Sequence, residues 1–130
     1  MFQQAVAQPQ YSALARSQMA LGVCQGRAGA LADAERSLSR SYELDPTNPA
    51  TAVNLSDVLY RRGEFERARF YIRRVNSITD LSSAQTLWLA ARIERKLGNT
   101  SAVRDFGQQL RNRFPQSSEA LAYERGRFDE

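Results

Sequence analysis

Residues 49–75, PATAVNLSDVLYRRGEFERARFYIRRV, carry the pattern that decides the fold. Asn48-Pro49 is a helix start: Asn can cap the free backbone N–H groups, and Pro is tolerated at the first helical position. Gly63 separates two helical stretches and can adopt the left-handed conformation that ends a helix. Leu55, Ser56 and Leu59 precede it; Phe65, Ala68, Ile72 and Val75 follow, at spacings of three and four that put them on one helix face. No segment of the chain alternates apolar and polar with period two over β-branched residues, so no strand is expected. The stretch reads as one helical hairpin, about 49–62 and 64–77.

The same punctuation recurs on both sides. Gly29 and Gly98 stand 34 residues before and 35 residues after Gly63. Helices are expected at about 10–27 and 31–44, at 82–97 and 100–113, and over a short terminal segment, 117–125. A period near 34 with one helical hairpin per unit is the tetratricopeptide (TPR) length. The first unit places Leu21, Gly22, Gly29, Leu31, Ala34, Leu38 and Pro46 at the expected positions. The third places Leu87, Ala90, Ala91, Gly98, Val103, Leu110 and Pro115 there. Small residues belong where the paired helices cross: Gly22 against Ala34, Ser56 against Ala68, Ala91 against Val103. Val103 exceeds the preferred Ala, so the third hairpin is expected to splay. Gln25 and Glu94 stand where an aromatic is favoured.

The expected fold class is therefore all-α, an α-solenoid of antiparallel helix pairs with three units and a C-terminal capping helix. Read as one TPR domain over 1–130, it divides into a remnant helix of a preceding unit (1–8), units at 15–48, 49–82 and 84–115, and a capping helix and tail at 117–130. One such unit cannot bury its apolar face alone, and stacking does so. Phe2, Ala5 and Val6 read as the end of a helix from an earlier unit. The apolar edge of Phe2, Val6 and Leu14 is then expected to drive self-association or swapping of the first helix.

Composition narrows the function classes. Of the 130 residues, 42% are apolar and 25% charged, ordinary for a globular chain. There is no histidine and one cysteine, Cys24. These residues alone cannot build a His/Cys metal site or a Ser-His-Asp or Cys-His centre. Gly22, Gly26 and Gly29 follow no strand and precede no Gly-Lys-Ser/Thr, which argues against a phosphate loop. Asp57, Glu64, Glu66, Glu94 and Asp105 are scattered among arginines and suggest surface ion pairs rather than an acid/base pair. No enzyme and no cofactor are expected. The net charge is +4, and the excess of basic over acidic residues is modest. Arg61, Arg62, Arg67, Arg69, Arg73 and Arg74 cluster without aromatics at base-stacking spacing, so nucleic acid is not the expected partner. Cys24 reads as a small buried hydrophobe, or alternatively as half of a disulfide to an upstream unit.

In a helical array the first helices of the units line the concave side, where partners dock. By position the candidates are Met19, Val23, Arg27, Asn54, Asp57, Tyr60, Arg61, Trp88, Arg92 and Arg95. Trp, Tyr and Arg are the residue types that dominate binding hot spots. Trp88 has two readings, facing the groove because Leu87 takes the core position, or packing beneath a neighbouring unit. The groove is too apolar for a clamp on terminal carboxylates and suits an amphipathic helix.

A narrower resemblance rests on three stretches. SAQTLWLAARIERKLG (83–98), QQLRNRFPQSSEA (108–120) and the GRF at 126–128 resemble the last repeat and ending of the type IV pilus biogenesis TPR proteins, the PilF/PilW-type pilotins. FQQAVAQPQY (2–11) resembles the junction between two earlier units of that family, and Cys24 stands where the family often has a cysteine. The resemblance implies a lipoprotein on the periplasmic face of the bacterial outer membrane that helps the pilus secretin reach that membrane and multimerise. It also implies that this chain is the C-terminal part of an array of about six units. The lipid anchor expected at the family's N-terminus is absent from this chain. A generic TPR adaptor for another envelope or cytosolic assembly is the alternative, and a basic helical nucleic-acid module a more remote one.

Overall fold

The computed structural model describes residues 9–128. Within them every regular element is helical: α1 (Pro9–Arg27), α2 (Leu31–Leu44), α3 (Pro49–Arg61), α4 (Phe65–Asn76), a 3₁₀ turn (Thr79–Leu81), α5 (Ala84–Lys96), α6 (Thr100–Arg113) and α7 (Ser118–Glu124). The helices expected from sequence within the described residues are present, with ends within two residues. The 3₁₀ turn was not anticipated, and the remnant helix at 1–8 lies outside the described residues.

Local chemistry sets the helix ends. Asn48 caps α3 by accepting from the Ala50 N–H at 2.9 Å, with Pro49 at the first helical position. Ser83 and Thr86 form a reciprocal capping box on α5. Asn99 accepts from Ala102 and Ser117 from Ala120 to start α6 and α7. Gly29, Gly63 and Gly98 all take positive φ, 85°, 81° and 79°. There an L side chain would be strained, which is why glycine recurs at this point of each hairpin.

The contacts fall into two compact groups, residues up to Gly63 and residues from Glu64. In the first, α1 pairs with α2 and α3 packs on α2. Ala34, Leu38, Leu55 and Leu59 are fully buried. Gly22 allows α1 to approach closely: a Cβ there would lie 2.6 Å from Leu38 Cγ and 3.3 Å from the Ala34 carbonyl. The expected Gly22–Ala34 crossing is thus present. Three polar side chains inside this group are satisfied locally. Ser41 donates to the Ala15 carbonyl at 2.7 Å and stands 3.3 Å from the Thr51 hydroxyl. Ser37 donates to Gln25 Oε1 at 2.7 Å, so the glutamine in an aromatic's place makes a bond instead of filling volume.

In the second group α5 is central, in contact with α4, α6 and α7. Leu87, Trp88, Ala91, Leu110, Ala120 and Phe128 form one buried cluster, with Val103 packed half-buried against it. Gly107, inside α6, is the seat of Tyr123: a Cβ at 107 would overlap the tyrosine ring. Of the residues after Pro115, Ala120, Tyr123 and Phe128 pack on this cluster, whereas Leu121 is exposed.

Glu94 departs from the expectation of a surface ion pair. It is 3% exposed, and Arg69 holds it through two bonds, Nε to Oε2 at 2.9 Å and Nη2 to Oε1 at 2.8 Å. Asn99 Nδ2 lies 3.3 Å from Oε1. The hydrogen bond to Glu94 raises the Arg69 pKa above its already high ordinary value. Cys24 also departs, being exposed rather than buried. Gly22 and Gly26 face the packed side of α1, and a residue two positions from either points about 200° away from it.

Candidate docking surface

Five of the sequence-predicted residues converge in the first group. Val23 and Arg27 from α1 and Asn54, Asp57 and Arg61 from α3 line a cleft of about 160 Å³. Gly22, Gly26, Leu38 and Val58 complete its lining. Arg61 spans it: Nη2 donates to the Gly26 carbonyl at 2.8 Å, and Nη1 lies 3.6 Å from Asp57 Oδ2. The guanidinium is therefore oriented before any partner arrives, so less side-chain entropy is lost on docking. Asn54 Nδ2 donates to the Ala50 carbonyl one turn back at 2.8 Å, which fixes its amide plane. The arrangement offers apolar contact from Val23 beside a paired cation and carboxylate, a surface for a peptide with both apolar and polar faces.

Met19 and Tyr60 do not line this cleft. The Met19 sulfur packs at the start of α3, 3.3 Å from the Thr51 hydroxyl. Tyr60 is half-buried.

In the second group Trp88, Arg92 and Arg95 lie along one side of α5, and their surroundings differ from an open groove. Trp88 is 7% exposed. Its ring centroid lies 5.0 Å from that of Phe128. Trp88 is thus largely covered: Leu87 is buried as expected, and α5 is covered on so many sides that Thr86 through Ala91 are all buried. Arg92 and Arg95 also engage Phe128. Sequence reasoning missed Phe128 as a site residue, because a residue beyond the last helix carries no helical periodicity.

The other predicted edge is partly visible. Leu14 is 41% exposed on α1, with Tyr11 and Leu21 similarly placed, while Phe2 and Val6 lie outside the described residues. Of the clustered arginines, Arg62 pairs with Glu35, Arg67 approaches Glu64, and Arg74 stacks on Phe70. No helix among the described residues is long and apolar enough to cross a membrane.

Comparison with known proteins bears on this geometry. The tetratricopeptide repeat model matches residues 27–87. No curated protein matches the sequence. Among solved structures the chain is similar to PilW, described as a widely conserved type IV pilus biogenesis factor, with 28% identity and a TM-score of 0.74 over 81% of this chain and 48% of that one. It is also similar to PilF of Pseudomonas aeruginosa, with 23% identity and a TM-score of 0.72 over 92% of this chain and 54% of that one. The second likeness speaks for the fold alone. The chain spans about half the length of the structures it matches. Its fold class is the all-α tetratricopeptide solenoid, and the resemblance to the type IV pilus biogenesis TPR proteins holds.

Proposed function

We propose that this tetratricopeptide-repeat chain, similar to PilW, is a docking scaffold in type IV pilus biogenesis that assists outer-membrane localisation and multimerisation of the pilus secretin. The observation that carries the reading is the PilW likeness, 28% identity over 81% of the chain. The cleft supports it physically. Val23 gives apolar contact, Asn54 a fixed amide, and Asp57 and Arg61 a preset charge pair, which together suit an amphipathic segment. Capture of such a segment would shield apolar surface on an unassembled secretin subunit until the ring closes. On this reading the protein works at the periplasmic face of the outer membrane, held there by a lipid anchor. It acts by binding and carries out no catalysis.

The test is deletion of the encoding gene in a piliated host, followed by fractionation of membranes. The expected result is loss of pili, with secretin found as monomer or in the inner membrane. Complementation with the whole gene should restore multimers. The same gene carrying Asn54→Ala with Arg61→Ala should restore them poorly while the protein accumulates normally. Normal secretin multimers in the deletion strain would reject the pilus role and leave a general TPR adaptor. Full rescue by the double variant would remove the cleft from the mechanism.

A further inference from the structure

Phe128 is held the way a docked peptide residue is held, by side chain and main chain together. Its ring packs tilted by 32° against Trp88 with centroids 5.0 Å apart, meets the Tyr123 ring edge-on at 6.2 Å, and has its centroid 4.4 Å from the Arg95 guanidinium carbon. Arg92 Nε donates to the Phe128 carbonyl at 3.0 Å. Only 8% of the residue is exposed. Trp88, Arg92 and Arg95 recur at intervals of four and three, so a single face of α5 supplies three of the four contacts. An arginine above a ring and an arginine on a carbonyl form a more selective arrangement than apolar cover requires. A cleft of about 410 Å³ opens beside Trp88, and among the described residues its lining holds Arg92, Arg125 and Arg127 with Glu119. Its charge therefore favours acidic groups next to the aromatic one. In the sequence Phe128 is itself followed by Asp129 and Glu130.

We propose that this face of α5 is a binding site for a peptide bearing an aromatic residue followed by acidic ones, and that Phe128 occupies it in cis. A partner segment of that chemistry gains the site by displacing Phe128. The inference rests on how Phe128 is seated against α5 and not on the identity of any pilus component, so failure of the secretin experiment leaves it standing.

Trp88 is the sole tryptophan, so its emission reports the occupant. The experiment uses the whole chain with Phe128→Ala and an acetylated peptide of residues 125–130 added in trans. Phe128→Ala is expected to shift Trp88 emission to the red and raise its quenching by iodide, with the helical circular dichroism retained. The peptide should reverse both changes saturably, and a version with alanine in place of phenylalanine should not. The unsubstituted chain should bind the peptide at least about tenfold more weakly than the variant, because the cis residue must first leave. Should Phe128→Ala lose helicity, Phe128→Leu keeps apolar cover without the ring and takes its place in the same titration. Unchanged Trp88 emission in a folded variant would overturn the proposal. So would failure of the peptide to bind, which would make Phe128 a structural cap only, and so would equal binding by the variant and the unsubstituted chain.

Discussion

Arg69→Met tests whether the Arg69–Glu94 pair is an interior contact or one more surface ion pair. The substitution keeps most of the aliphatic stem and removes both donors from a carboxylate that is 3% exposed. Breaking a buried pair by deleting one partner costs about 3–5 kcal/mol, because the remaining charge stays desolvated. Asn99 Nδ2 remains near Oε1, and the Arg69 side chain is 22% exposed, so water can reach one end of the site. Both place the expected cost near the lower limit, about 3 kcal/mol, against a total stability on the order of 5–15 kcal/mol. Glu94→Leu should cost less, about 1–2 kcal/mol, since Arg69 can turn towards solvent. The double variant should come within about 1 kcal/mol of the parent, as replacement of buried pairs by apolar groups often does. Urea denaturation followed by helical circular dichroism and by Trp88 emission supplies the free energies. A loss below about 1 kcal/mol for Arg69→Met, or a double variant equal to the sum of the singles, would refute the argument and return the pair to the class of exposed ion pairs.

Gly22→Ala should destabilise by about 1–3 kcal/mol despite the better helix propensity of alanine, because the new methyl meets Leu38; equal or higher stability in thermal melts would show that α1 and α2 can separate freely. Cys24 should react with a maleimide in the native protein at a rate close to that in denaturant, since its thiol is exposed; strong protection would return it to the core. The Glu124 carboxyl is held below its usual range by its hydrogen bond to Arg111, so its folded pKa is the lower one. Its contribution is therefore present above the ordinary carboxylate range and lost as pH falls through the folded value. The stability difference between parent and Glu124→Gln should be largest near neutrality and fade in acid; a pH-independent difference would contradict this. Light scattering should show concentration-dependent association that Leu14→Glu with Leu21→Glu weakens; an unaltered profile would place the contact elsewhere.

The hairpins were legible because glycine and proline act locally. Gly63 and Asn48-Pro49 determine their own backbone geometry, and the period between equivalent glycines needs no knowledge of packing. The cleft was legible in part for the same reason, since Val23, Asn54, Asp57 and Arg61 share faces set by helical spacing. Glu94 was not, because its partner lies 25 residues away in sequence and nothing local distinguishes a covered carboxylate from an exposed one. Cys24 was misread because the apolar pattern of α1 is diluted by alanine and glycine, which leaves the inward face poorly marked. The cover of Trp88 was not legible, because it comes from Phe128, which belongs to no repeat position. Gly107 carried no signal without Tyr123 placed against it.

The turn at Gly126 uses the same joint as the hairpins. Its φ is 70°, its N–H reaches the Tyr123 carbonyl at 3.1 Å, and the Arg127 N–H reaches Ala122 at 2.9 Å. Gly29 and Ala30 bond to Gly26 and Gln25 in the same way, as do Gly98 and Asn99 to Arg95 and Glu94. Phe128 stands two residues past its glycine, as Phe65 stands past Gly63 and Leu31 past Gly29. Gly126 is thus a splice point already in register. A second helix such as 65–76 ligated after Arg127 would begin in the geometry that starts α2 and α6, so a repeat could be grafted on without redesigning the seam.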